Sequence, residues 1–448
     1  MLALAAASSR GYAAHTAESG SAPTTQGPAA SAISPATQAT DAASAPEFAA
    51  VSTLINDAIA AQRFPGAVVV IGHAGKIVFH QAYGARKLAG EPGLDGSPAP
   101  AEPMSEDTIF DLASLTKCLA TATAVMQLYE QGKVTFDDPV QTYLPDFNPT
   151  NDPQRARVTV RMLLTQTSGE AVDISLQDPW GLGRADKAEG VHRALSAPLQ
   201  SAPGEVFRYS DINFILLGAL LEKLSGEAED DYVQRNVFAP LGMTDTGYLP
   251  AAKACGPHTL RGAAIGWAAG PKARACAAGT WRTSVVPRIA PTALDEESRA
   301  DPGKNPDYGF LLRGSVHDPT ARRMGGVAGH AGEFSTAHDV AVYAQALLDR
   351  LANRPSRFPL TQKTLQLIMA TPEQPGHMDP RDVLAGAGHQ DGVTGGGIGI
   401  VESDCGVAEF VELPQVAFRA VLGIQLCFHR FVALQMVSGH RQLRLQGV

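Results

Sequence analysis

The sequence predicts a mixed α/β fold on two observations. Two β-branched runs joined by a short turn lie near its start, and several later segments carry apolar residues at helical spacing. The strand runs cover residues 67–72 and 76–84, and His73-Ala74-Gly75 between them reads as a hairpin turn. Before them, Val51, Leu54, Ile55, Ala58 and Ile59 define an amphipathic helix. Leu115, Leu119, Ala122, Val125, Met126 and Tyr129 define a second helix, with Gly132 as its stop. A third follows the polar triplet Tyr209-Ser210-Asp211, with Ser210 or Asp211 as its cap. A fourth follows Ser335 or Thr336.

The chain has 448 residues, of which 44% are apolar and 18% charged, so it can bury a large core. Its net charge of −9 and lack of a basic stripe argue against a nucleic-acid partner. No apolar run is long enough to predict an integral membrane segment. Five cysteines without Cys-x-x-Cys spacing exclude a zinc ribbon, and an odd, sparse set is a poor disulfide framework. Residues 1–46 are rich in Ala, Ser, Thr, Pro and Gly and read as a disordered tether. Residues 1–7 are either the tail of a signal region or an arbitrary alanine-rich start. Residues 251–286, with Cys255, Cys276, Trp267 and Trp281, read as an irregular insertion.

The chemistry concentrates at Ser114-Leu115-Thr116-Lys117. Ser114 falls at the start of a helix, where free N–H groups and the positive dipole end favour a developing anion. Lys117, three residues on, shares its face. A buried lysine held neutral beside a serine hydroxyl can take its proton. Taken alone, Ser-x-x-Lys is a weak signal. The run at 324–339 is glycine-rich but lacks Gly-Lys-Ser/Thr, so close backbone approach explains it better than phosphate binding. His330 and His338 within it have no third ligand in sight, which argues against a metal site.

The order of these blocks resembles the serine β-lactamase-like superfamily, in its class C β-lactamase, DD-peptidase and esterase branch. The likeness runs through residues 114–117, 134–140, 143–145, 158–169, 203–205, 209–211, 238–243, 317–323 and 325–339. Some of these blocks look like members tied to cell-wall turnover. The resemblance implies an antiparallel sheet flanked by helices plus a mainly helical domain, over residues 47–370. It implies a serine hydrolase working through an acyl-enzyme on a peptidoglycan peptide, a β-lactam or a small ester or amide. Ser114 would be the nucleophile, Lys117 its neighbouring base, and Tyr209 a general base whose phenol the lysine charge depresses. Asp211 stands where an asparagine is more usual; it would touch substrate, and by pairing with Lys117 would favour the charged amine. The backbone N–H of Ser114 would be one oxyanion donor. No cofactor is implied, the periplasm or cell exterior is the expected location, and the oligomeric state is left open.

The C-terminus departs from the family. Its expected Lys/His-Thr/Ser-Gly strand is missing: Lys363-Thr364-Leu365 sits in a helical pattern, and Thr394-Gly395 is the remaining stand-in for that substrate-binding motif. Residues 371–448 are either a divergent replacement or the product of a shifted reading frame, and the abrupt loss of likeness favours the latter. A catalytically inactive relative that at most binds cell-wall fragments is the alternative function. Segments 411–422 and 427–437 suit either buried strands or a helix.

Overall fold

The computed structural model describes residues 2–7, 48–266 and 275–369, and for 2–7 only the backbone course. The predicted hairpin forms from β2 (Gly66–His73) and β3 (Lys76–Lys87), paired antiparallel. Ala74 and Gly75 form its two-residue turn with φ of 49° and 79°, the left-handed geometry that matches strand twist. Alternation then divides the β2 side chains between two faces. Ala67 and Val69 meet Ile55 of α1 (Ala49–Ala60) and Phe79, while Val68 and Val70 enter the main core.

A two-residue strand, β4 (Glu102–Pro103), pairs with β3, and β1 (Leu2–Ala7) pairs antiparallel with β2 along its length. The N-terminal composition predicts a tether, yet Leu2–Ala7 form a strand. Backbone pairing asks little of the side chains, so composition alone misses it. Residues 8–47 and 371–448 lie outside the described residues, as do Thr394 and Gly395.

A second small antiparallel sheet builds the site. Its central strand β7 (Glu333–Thr336) lies between β5 (Ile109–Asp111) and β6 (Gly247–Tyr248). β5 leads into a π-helical turn, Lys117–Ala122, and then α2 (Thr123–Glu130), with Gly132 in the left-handed conformation just beyond. After α3 (Lys187–Ser196) comes α4 (Asp211–Ser225), which is buried along most of its length. Ser210 caps α4, its hydroxyl accepting from the Asn213 N–H, and Gly226 ends it at φ 75°. Thr336, of the two expected candidates, caps α5 (Ala337–Leu351). The pattern around Lys363 is helical as predicted, in α6 (Gln362–Met369).

Residues 251–286 contain short strands at 254–255, 259–261, 264–266 and 281–282, and a disulfide joins Cys255 to Cys276. This corrects the expectation of a poor disulfide framework. Two cysteines distant in sequence carry no spacing signal, and only the chain's return brings their Cα atoms within 5.8 Å.

Candidate active site

Ser114 lies three residues beyond β5, in the turn directly before the helical residues that begin at Leu115, and that turn is held by Asp111. The Asp111 carboxylate accepts the N–H of Ala113 at 2.9 Å and that of His317 at 2.7 Å. Ala113 has φ 45°, a left-handed backbone rare outside glycine, directly ahead of Ser114.

The fully buried Lys117 ammonium sits at the centre. Its Nζ donates to Ser114 Oγ at 3.0 Å and to the His330 carbonyl at 3.0 Å, and it pairs with Asp211 Oδ1 at 2.6 Å. It also lies 4.9 Å from the centroid of the Tyr209 ring. Burial opposes the charge, but Asp211 and Tyr209 outweigh it and hold the amine above its ordinary range. The structure therefore supports the charged lysine anticipated from Asp211 and corrects the neutral one.

Tyr209 hydrogen-bonds with the Lys117 and Ser114 side chains, yet its phenol titrates above its usual range. Burial is the largest cause, Lys117 pulls the other way, and Asp211 adds to the rise. The expected depression of this phenol is overturned, because desolvation and the nearby carboxylate exceed the effect of the lysine charge.

The turn carrying Tyr209 and Asp211 is built from the block at 165–169. Gln166, at φ 61°, accepts the Ser210 N–H at 2.9 Å and the Asn213 amide at 2.6 Å on one side-chain oxygen. Its own carbonyl accepts the Arg208 N–H, and Ser168 donates to Asn213. That block orients the start of α4 so that Asp211 faces Lys117.

The structure brings together Ser114, Lys117, Tyr209 and Asp211. It also adds residues that the sequence reading missed: His330, considered there only as a metal ligand, Asp318 and Asp173. The glycines bracketing His330 signal close approach, but nothing in the spacing points to Lys117. Among the described residues, no three His, Cys, Asp or Glu side chains gather to hold a metal ion. A surface recess of about 640 Å³, lined in part by Phe147, Arg155 and Ser201, includes none of the four site residues in its walls.

The arrangement is a serine hydroxyl with a buried lysine and a tyrosine at its flank. The Beta-lactamase family profile matches residues 51–395, running past residue 370 to the Thr394-Gly395 pair. The chain belongs to that family. It is 30% identical over 297 residues to a "Putative D-alanyl-D-alanine carboxypeptidase" of Escherichia coli (strain K12), covering 64% of this chain and 60% of that one. It is 31% identical over 330 residues to an "N-acetylmuramyl-L-alanine amidase" of Bacillus subtilis (strain 168), covering 72% and 66%. The chain thus spans about 60% of the length of the carboxypeptidase relatives it matches. A class C β-lactamase structure from Rhodobacter sphaeroides aligns at 20% identity and a TM-score of 0.48, covering 76% of this chain and 79% of that one. No helix among the described residues is long and apolar enough to cross a membrane.

Proposed function

We propose that the chain is a serine acyl-hydrolase that forms an acyl-enzyme at Ser114 and acts on an amide of peptidoglycan origin. The observation that carries this reading is the 3.0 Å contact between Lys117 Nζ and Ser114 Oγ, with Tyr209 bonded to both. Ser114 Oγ attacks the substrate carbonyl as its proton leaves toward the Lys117–Tyr209 pair. The Ser114 N–H steadies the oxyanion, the leaving amine takes a proton from Tyr209, and water then releases the acyl group. Lys117 rests in its charged form, so the pair must first lose a proton, and acylation accelerates as pH rises. Asp211 faces both the lysine and the substrate amide. Thr394 and Gly395 are the candidates for the second oxyanion donor and the substrate contact.

The names of the two relatives, a carboxypeptidase and a muramyl-alanine amidase, favour a cell-wall amide over a small ester. They also favour the periplasm or cell exterior, and the Cys255–Cys276 disulfide fits an oxidising compartment. Incubation with a fluorescent penicillin and a fluorophosphonate, followed by intact mass analysis, tests the reading. A covalent increment lost in Ser114→Ala supports it. No increment with either reagent leaves the inactive, fragment-binding relative as the function.

A further inference from the structure

We propose that Asp318 and His330 form the positioning unit of the serine–lysine site: Asp318 fixes the His330 ring, and the His330 main chain thereby holds the Lys117 ammonium on Ser114 Oγ. The role in acylation rests on the serine-hydrolase reading above.

His330 is fully buried, with Nε2 2.9 Å from Asp318 Oδ1. Its Nδ1 is also buried and has no hydrogen-bond partner among the described residues, so Asp318 is the ring's polar anchor there. The backbone on either side faces the Ser114 helix. Gly329 and His330 present successive carbonyls, which accept from Thr121 Oγ1 at 2.7 Å and from Lys117 Nζ at 3.0 Å, one helical turn apart. A ring pinned at Asp318 therefore fixes where the second carbonyl points.

Asp318 is itself held at the start of the short helix Pro319–Arg323, where its Oδ1 also accepts the Ala321 N–H at 2.8 Å. That helix is tied down by Arg322 and Arg323, both buried, which pair with Glu297 at 2.9 Å and 2.7 Å. Rigid support of this kind suits a group that orients another rather than one that reacts.

The electrostatic surroundings agree. His330 faces Asp318, Asp211, Asp173, Glu229 and Lys117; burial pushes its titration down, but Asp318 raises it above the ordinary histidine range. Asp318 faces His330, Lys117, Asp111 and Asp173; burial opposes its charge, yet His330 and Lys117 hold its carboxyl well below the usual carboxylate range. The pair thus sits directly behind the Lys117–Asp211 pair.

The test compares Asp318→Asn, which keeps an acceptor for the ring but removes the charge, with Asp318→Ala, which removes both. In full-length protein carrying ¹³C-labelled histidine, the His330 titration moves to lower pH by about one unit in Asp318→Asn. Acylation by the fluorophosphonate slows about tenfold or more in Asp318→Ala, and Asp318→Asn restores most of the rate with a shifted pH limb. An unmoved His330 titration in Asp318→Asn overturns the proposal. So does a folded Asp318→Ala protein that acylates with the wild-type rate and pH profile. If wild-type protein takes up neither reagent, the hydrolase reading fails by itself. The Lys117 ¹³Cε resonance, assigned with Lys117→Arg, then decides: displacement in Asp318→Ala supports the positioning unit, and an unchanged resonance overturns it.

Discussion

Lys117 Nζ lies 2.6 Å from Asp211 Oδ1 while donating to Ser114 Oγ at 3.0 Å, so one buried ammonium joins the Ser114 hydroxyl to a carboxylate. The consequence is a site that rests one proton too rich. Asp211→Asn removes the counter-charge, and the Lys117 titration falls from its raised position. A larger neutral fraction then exists at any given pH, so the rising limb of acylation moves to lower pH by about one unit or more. The rate of fluorophosphonate labelling at pH 7 rises about tenfold for each unit. Labelling rates measured between pH 5 and 10 check this, and a limb that stays in place removes Asp211 from control of the lysine.

Tyr209 is neutral at rest because burial, reinforced by Asp211, raises its phenol. In the proposed mechanism its contribution is the transfer of a proton between Ser114, Lys117 and the leaving amine. Tyr209→Phe keeps the ring against Lys117 and removes the hydroxyl alone. Acylation falls by about 10²-fold or more, with little change in melting temperature. Equal rates for the two proteins would show that Lys117 serves Ser114 without the phenol.

The parts of the fold that were legible in the sequence are those in which local chemistry and tertiary structure agree. The hairpin at 66–87 shows in its β-branched runs and in Ala74-Gly75, the helix caps Ser210 and Thr336 in their residue types, and the Ser114–Lys117 relationship in a three-residue spacing that any helix turns into contact. His330 meets Lys117 across 213 positions, and no periodicity encodes that meeting. The net rise of the Tyr209 phenol was illegible for a related reason: burial depends on the whole fold, whereas the lysine charge is visible in the motif. The strand at Leu2–Ala7 and the Cys255–Cys276 disulfide lie in segments whose composition signals irregularity, and distant chain supplies the partner in each case.

Behind the site, Glu229 and Glu333 are both fully buried, and Glu333 has no hydrogen-bond partner on either oxygen among the described residues. Burial lifts Glu229 to about 7, from an unperturbed 4.5, and holds Glu333 well above its usual range, Glu229 adding to that rise. A carboxyl with a raised folded-state pKa stabilises the fold fully below its unfolded value. That stability is lost as pH climbs from about 4.5 through 7, on the order of 3 kcal/mol for Glu229. Glu170 at about 7 and Asp173 at about 6 act in the same direction. Glu229→Gln, a neutral isostere, therefore flattens the fall in melting temperature between pH 5 and 8 without abolishing it. Thermal melts across that range measure it, and parallel curves for the two proteins would count against a protonated Glu229.

Gly329 connects packing to chemistry. A Cβ there would lie 2.0 Å from the Phe214 carbonyl oxygen and 3.1 Å from the Gly218 nitrogen, both backbone atoms of α4 that cannot rotate away. The loop before His330 therefore approaches α4 as closely as two glycines permit, and that approach sets the height of the carbonyl over Lys117. Gly329→Ala forces loop and helix apart. It costs about 1–3 kcal/mol or more in stability and withdraws the His330 carbonyl from Lys117, slowing acylation as well. Gly183→Ala is the matched control, because a Cβ at exposed Gly183 meets nothing within 4 Å. Melting temperature and labelling rate both fall in the first variant and hold in the second. A Gly329→Ala protein with wild-type melting and wild-type labelling would mean that the seat of this loop on α4 has no part in holding the lysine.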